Sequence, residues 1–143
     1  MPVRNASATW SGALMDGEGT MRLGTGAFEG AYSAGTRFGE EPGTNPEELI
    51  GAAHAGCFSM ALAHVLDQAG HSPERIDTSA RVHIEKQDDG FAITLVELDT
   101  TGVVAGIDEA TFRESAEQAK ANCPVSQALA ATEIRLAGAR LES

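Results

Sequence analysis

The sequence predicts an α+β domain in which a largely antiparallel sheet is covered by one long helix. Three features predict it: β-prone segments separated by glycines over the first 40 residues, an apolar helix that starts at Pro46, and an alternating strand pair around Asp88-Asp89-Gly90. No repeat or linker interrupts the 143 residues. We therefore expect one domain over residues 1–143.

The N-terminal segments "SATWSGAL", "GTMRLGT" and "GAYSAGTRF" predict a meander of short antiparallel strands. The segment "TNPEEL" then predicts a helix start, with Thr44 or Asn45 as N-cap and Pro46 at the first helical position. We expect this helix to reach about Ala69 and to stop at Gly70.

The second half of the chain predicts two strands, a helix and a last strand. Ala80, Val82 and Ile84 alternate with polar residues, and a hairpin turn leads into the strand "FAITLVELDT". A helix is expected from Asp108 to about Asn122, followed by a break, a short helical turn in "VSQALA" and the strand "TEIRLAGARLE".

The charge and the apolar segments exclude some classes of function. The net charge is −11 and the ten Lys and Arg residues are scattered, which argues against nucleic-acid binding. The uncharged run Leu49–Leu66 is diluted by small residues and two histidines, so we interpret it as a buried helix, not a membrane span. The start "MPVRNASATW" lacks the apolar region of a signal peptide. We expect a cytoplasmic protein with no membrane partner.

The helix from Pro46 to Ala69 has little polar face, and one sheet cannot bury all of its sides. A second copy of the chain is the economical cover. We therefore predict a homodimer packed around this helix.

The two cysteines, Cys57 and Cys123, are too few for a metal site or a disulfide framework. Each has a structural interpretation: Cys57 as a small core residue, and Cys123 as the end of a helix before Pro124. Each cysteine can also be interpreted as a reactive thiol. His54 lies one turn before Cys57, and unpaired backbone N–H groups near Cys123 would favour a thiolate there. A reactive Cys57 needs a nearby cation, because burial raises the pKa of a thiol. The residues alone do not choose that cation.

The segments "TRFGEEPGTNPEELIGAAHAGCFSMAL" and "KANCPVSQAL" resemble the OsmC branch of the OsmC/Ohr family of thiol-dependent hydroperoxide reductases. The resemblance extends over nearly the whole chain and implies an OsmC-like fold in an intertwined homodimer. By motif position, Cys57 matches the peroxidatic cysteine and Cys123 the resolving cysteine. Arg37 matches the arginine that contacts the thiolate, and Glu47, not Glu48, matches the carboxylate that holds this arginine.

The resemblance implies a peroxidase that reduces organic hydroperoxides, and hydrogen peroxide less well, in defence against oxidative or osmotic stress. Cys57 would become a sulfenic acid, Cys123 would condense with it, and an external dithiol such as a dihydrolipoyl group would reduce the disulfide. The family needs no metal, haem or flavin. The apolar residues Phe38, Phe58 and Met60 would favour organic peroxides.

Helix geometry adds one constraint to this chemistry. Glu47 and Cys57 would lie about 15 Å apart along a straight helix, too far for one arginine to join them. Either the helix breaks near Gly51 or Gly56, or the carboxylate serves the thiol of the other subunit. We favour the second alternative, an active site shared across the dimer interface.

Two other functions compete with the peroxidase. One is a redox-responsive regulatory protein that the Cys57–Cys123 disulfide switches without catalysis. The other is a hydrolase that uses Cys57 with His54, although the sequence offers no evident orienting acid or oxyanion hole.

Overall fold

The computed structural model describes residues 1–142 and divides into two units, Met1–Leu49 and a second unit from Ile50 onward. The first unit contains a three-stranded antiparallel sheet, and its order follows the chain: β1 (Ala6–Ser11), β2 (Glu18–Leu23) and β3 (Glu29–Tyr32). The predicted N-terminal meander is therefore present.

The third predicted strand is shorter than expected, because a short helix, α1 (Ala34–Phe38), follows β3. Ser33 and Thr36 form a capping box: the Thr36 N–H donates to Ser33 Oγ at 3.2 Å, and the Ser33 N–H donates to Thr36 Oγ1 at 2.8 Å. The segment "SAGTRF" was wrongly predicted as strand, because this local capping outweighs its β-propensity. Arg37 consequently lies on a helix.

The long helix α2 (Pro46–Gln68) has nearly the predicted limits. Asn45 caps it, since Asn45 Oδ1 accepts the Glu48 N–H at 2.8 Å. Gly70 follows its end with a φ of +88°, a conformation that favours glycine. The helix contains no break at Gly51 or Gly56.

A second three-stranded sheet lies in the second unit, in the order β4 (Arg75–Gln87), β5 (Gly90–Val103) and β6 (Glu133–Leu141). The hairpin β4–β5 is antiparallel, as predicted. Strand β6 runs parallel to β5. The helices between β5 and β6 form the crossover that a parallel pair requires, so the sheets of this chain are mainly but not wholly antiparallel.

The crossover consists of α3 (Glu109–Asn122) and α4 (Pro124–Ala128). The helix α3 begins one residue later than predicted, because Asp108 is its N-cap: Asp108 Oδ1 accepts the Thr111 N–H at 2.8 Å. Cys123 is at once the C-cap of α3 and the N-cap of α4. Pro124 occupies the first position of α4, where its missing N–H costs no helix hydrogen bond.

The core of the second unit forms where α2 packs with the second sheet and α3. Phe58, Leu62 and Leu66 project from one stripe of α2, and all three are almost completely buried. The other buried members of this cluster come from β5, α3 and β6 and the segments that follow β5 and α3: Val96, Leu98, Val104, Phe112, Ala116, Ala119, Cys123, Leu136 and Ala139.

Another part of the α2 surface is apolar and exposed. The exposed residues are Ala52, Ala53, Gly56 and Met60. Met60 has the longest side chain of the four and is 76% exposed. The length and composition of α2 would allow it to cross a membrane, but the core helices of soluble proteins meet the same criterion. Only 28% of the most apolar 18-residue window of α2 is buried. A single chain therefore leaves an apolar helix surface uncovered.

We predict that Leu62→Ala lowers the free energy of unfolding by about 2–5 kcal/mol, because a fully buried leucine leaves a cavity when it is truncated. Denaturant titration measures this change. The matched control is Leu14→Ala at a 59% exposed position, where a small change is expected. Equal effects of the two substitutions would contradict the core described above.

Candidate active site

The two cysteines, far apart in sequence, come together in the second unit. Cys57 Sγ on α2 and Cys123 Sγ at the α3–α4 junction are 3.0 Å apart and share a hydrogen bond, although 66 positions separate them. Both are free thiols. A disulfide has an S–S length near 2.05 Å, so closing the remaining gap needs only a small local movement.

The two thiols differ in exposure. Cys123 is fully buried within the core cluster, whereas Cys57 packs against the cluster and remains partly accessible. Phe58, the neighbour of Cys57, anchors this part of α2 with no exposed surface. A small oxidant can therefore reach Cys57 more readily than Cys123.

Within the second unit, the surroundings shift the pKa values of the two thiols in opposite directions. Burial raises the pKa of Cys57, and the hydrogen bond to Cys123 raises it further against a weaker opposing effect of the Val125 backbone. Burial also acts to raise the pKa of Cys123, but hydrogen bonds from Cys57, Ser126 and Val125 outweigh it and lower the pKa overall. These neighbours therefore act against a thiolate on Cys57. A nucleophilic Cys57 would need a cation that these neighbours do not supply.

The predicted arginine and carboxylate form an ion pair in the first unit. Arg37 Nε donates to Glu47 Oε1 at 2.7 Å, and the Glu47 side chain is only 8% exposed. Glu48 has a different partner, because its Oε2 accepts the Thr44 hydroxyl at 2.7 Å. The buried Glu47 Oε2 has no hydrogen-bond partner. The pair therefore retains an unused acceptor beside a guanidinium that is about one third exposed.

An apolar cavity of about 240 Å³ lies beside this guanidinium in the first unit. The Arg37 guanidinium carbon lies 5.4 Å from the centre of the Phe38 ring, which makes a cation–π contact. The side chains that line the cavity are mostly apolar or aromatic: Trp10, Leu14, Tyr32, Ser33, Ala34, Arg37 and Phe38.

A buried polar contact also adjoins the cysteines. His54 Nε2 lies 2.7 Å from Ser126 Oγ, and the histidine has no exposed surface. Burial lowers the pKa of His54. In the sequence, His54 drew notice only as a neighbour of Cys57, and Ser126 did not stand out. The available signal was the position of Ser126 three residues after Cys123, where its N–H can reach a capping group.

Among residues 1–142, no three His, Cys, Asp or Glu side chains group in a way that could hold a metal ion. The candidate residues thus form two separate groups, a thiol pair in the second unit and an arginine–carboxylate pair in the first.

Known proteins provide an independent comparison. The family described as OsmC-like protein matches residues 39–137. The chain is 50% identical over 129 residues to Peroxiredoxin OsmC of Escherichia coli (strain K12), covering 90% of each protein.

Solved structures share the fold. The crystal structure of the organic hydroperoxide resistance protein OhrB of Bacillus subtilis matches with a TM-score of 0.73 and 25% identity, covering 96% of this chain and 98% of that one. An OsmC structure from Legionella pneumophila matches with a TM-score of 0.74 over both full chains, at 22% identity. The α+β architecture of two sheets and one long helix is therefore that of known OsmC and Ohr structures. By the family match and the 50% identical relative, this chain belongs to the OsmC family.

Proposed function

We propose that this protein is a thiol-dependent peroxidase that reduces organic hydroperoxides to alcohols, and hydrogen peroxide less well. The observation that carries the proposal is the 3.0 Å separation of Cys57 Sγ and Cys123 Sγ, which suits a reaction that ends in a disulfide. The 50% identity to a protein named peroxiredoxin supports the same activity. Relatives named organic hydroperoxide resistance proteins, such as OhrB of Bacillus subtilis at 32% identity over 89 residues, support the substrate class and a role in stress defence.

In the proposed reaction the Cys57 thiolate attacks one oxygen of the O–O bond. That bond breaks, the other oxygen leaves as an alkoxide that takes a proton to become the alcohol, and Cys57 becomes a sulfenic acid. Cys123 then attacks the Cys57 sulfur, which forms the disulfide and releases water. An external dithiol such as a dihydrolipoyl group restores both thiols by exchange.

Arg37 is the proposed activator of Cys57. A guanidinium beside the thiolate lowers its pKa and donates hydrogen bonds to the peroxide oxygens. Glu47 would fix the guanidinium through the 2.7 Å contact described above. The raised pKa of Cys57 among its neighbours in the second unit supports the need for such a cation.

The active site is proposed to be shared between two subunits of a homodimer. Because α2 has no break, the rise of about 1.5 Å per residue keeps Glu47 far along the helix axis from Cys57 of the same chain. The exposed apolar face of α2 is the surface that a second copy would cover. In this arrangement Arg37 and Glu47 of one subunit serve Cys57 of its partner.

The cavity beside Arg37 is the proposed site for the organic part of the peroxide. Its aromatic and aliphatic lining would hold an apolar group while the guanidinium binds the polar end. Hydrogen peroxide has no group to fill this cavity. We therefore expect a preference for bulky hydroperoxides.

Two further features complete the proposal. The OsmC-like match at residues 39–137 includes parts of both units, and α2 continues across their boundary, which supports one functional domain over residues 1–143. A disulfide that an external dithiol must reduce suits a reducing compartment, which supports a cytoplasmic location.

We predict that the parent protein consumes many equivalents of cumene hydroperoxide when a dithiol is in excess, and that Cys57→Ser abolishes this turnover. Cys123→Ser should retain the first step and accumulate a Cys57 sulfenic acid that a thiol reagent traps. Peroxide and dithiol consumption are followed together. A regulatory protein would consume about one equivalent per disulfide and a hydrolase none, so either result from the parent protein would refute the peroxidase.

We predict that Cys57→Ser and Arg37→Ala chains, each inactive alone, regain activity when they are unfolded and refolded together. Random pairing makes about half of the dimers mixed. In a mixed dimer one of the two sites is complete, because Cys57 of one chain meets Arg37 of the other, so recovery should approach about one quarter of the parent value.

Arg22→Ala is the matched control, because Arg22 pairs with Glu29 on the exposed surface of the first unit, and this variant should be active alone. Parent protein refolded in the same way calibrates recovery. No regained activity from the mixture, with the parent control recovering, would mean that each subunit uses its own Arg37. A fully active monomer would refute the shared site as well.

A further inference from the structure

We propose that Ser126 and His54 prepare Cys123 for its attack on the Cys57 sulfenic acid: Ser126 donates to the attacking sulfur, and His54 is the positioning residue that orients Ser126. This inference rests on the proposed peroxidase function. It concerns only the second chemical step, the closure of the disulfide.

Ser126 lies in α4, three residues after Cys123. Its backbone N–H donates to Cys123 Sγ at 3.4 Å, and its hydroxyl is a second group that lowers the pKa of that thiol. Ser126 is 5% exposed, so no bulk solvent competes for either contact. A buried residue thus places its backbone donor on the sulfur of the resolving cysteine and its hydroxyl on His54.

The proposed donation to the sulfur uses the single hydroxyl proton of Ser126. When that proton is donated to Cys123 Sγ, Ser126 Oγ can only accept from His54 Nε2, 2.7 Å away. His54 is then the neutral tautomer with its proton on Nε2. The 72 positions between His54 and Ser126 make this a tertiary contact.

The burial of His54 favours the same proton arrangement. His54 has no exposed surface, and its Nδ1 has no hydrogen-bond partner. An imidazolium, or the tautomer protonated at Nδ1, would leave a buried N–H donor unpaired, which is costly. Burial also lowers the pKa of His54, which keeps the ring neutral. His54 therefore acts as a fixed donor to Ser126 and does not take up the Cys123 proton.

Two titratable groups of α2 lie around this junction: Cys57 shares a hydrogen bond with Cys123, and His54 contacts Ser126. In α3, the only basic residue of the last turn, Lys120, pairs with Glu117 at 3.2 Å. Charged side chains of the second sheet also pair among themselves. Such pairs are Arg81 and His83 with Glu97, and Arg140 with Asp99.

The step itself balances without a further reagent. The Cys123 thiolate attacks the Cys57 sulfur, the S–S bond forms and the S–O bond breaks. The Cys123 sulfur is oxidised and the Cys57 sulfur is reduced by the same amount. The departing hydroxide takes up one proton, equal to the one that the Cys123 thiol lost, and leaves as water.

The experiment mixes one equivalent of cumene hydroperoxide with the reduced full-length protein and follows two rates. Trapping by dimedone reports the Cys57 sulfenic acid, and quenched alkylation reports disulfide closure across a range of pH. For Ser126→Ala we expect sulfenic acid to form at the parent rate. Disulfide closure at neutral pH should slow about five- to tenfold, as for the loss of one ordinary intramolecular hydrogen bond.

The pH profile separates this role from a merely structural one. Loss of the donor raises the pKa of Cys123, so the rise of the closure rate with pH should move to higher pH. Alkylation of Cys123 in a Cys57→Ser background should show the same displacement. The matched control, Ser115→Ala, removes another buried serine from α3 and should leave both rates and the pH profile unchanged.

His54 provides a second pair of variants should Ser126→Ala fold poorly. His54→Gln keeps an N–H donor at similar reach and should retain near-parent closure, whereas His54→Leu should behave like Ser126→Ala. Parent-like closure and pH profile in folded Ser126→Ala or His54→Leu would overturn the inference and leave the peroxidase intact. A parent protein that forms neither sulfenic acid nor disulfide would overturn both.

Discussion

The close approach of the Cys57 and Cys123 sulfurs is the contact on which the rest of this site depends. It arises because one stripe of α2 packs into the same core as α3, and because Pro124 ends α3 where Cys123 faces α2. A thiol pair held at 3.0 Å favours disulfide closure, since little ordering remains to be done. The fold of the second unit thus fixes the end point of the chemistry before any oxidant arrives.

Proximity alone does not decide which sulfur reacts first. Burial raises the pKa of Cys57, while hydrogen bonds lower that of Cys123, so within this unit Cys123 ionises more readily than Cys57. The proposed peroxidase needs the opposite order in its first step. A guanidinium brought to Cys57 would reverse it, and the uncovered apolar face of α2 provides a physical reason for a second subunit to bring one. Dimerisation would then activate the nucleophile as well as cover the helix.

Local signals predicted much of the fold. The Asn45 cap, Gly70 and the Asp108 cap bound their helices because capping depends on neighbours in sequence. The helix at Arg37 was missed because its capping box lies within a segment of β-prone composition. The parallel β6 was not predicted because strand direction depends on a crossover of many residues. Tertiary contacts were the least visible: only the family resemblance paired the cysteines, and no spacing indicated that His54 reaches Ser126.

The most direct measurement is a peptide map of the reduced protein after one equivalent of an organic hydroperoxide, with the remaining thiols blocked before digestion. We expect one disulfide within each chain, which joins the Cys57 and Cys123 peptides, and an intact mass that is lower by two hydrogens. Disulfides between chains, or a Cys57 oxidised to higher acids beside a blocked Cys123, would contradict it.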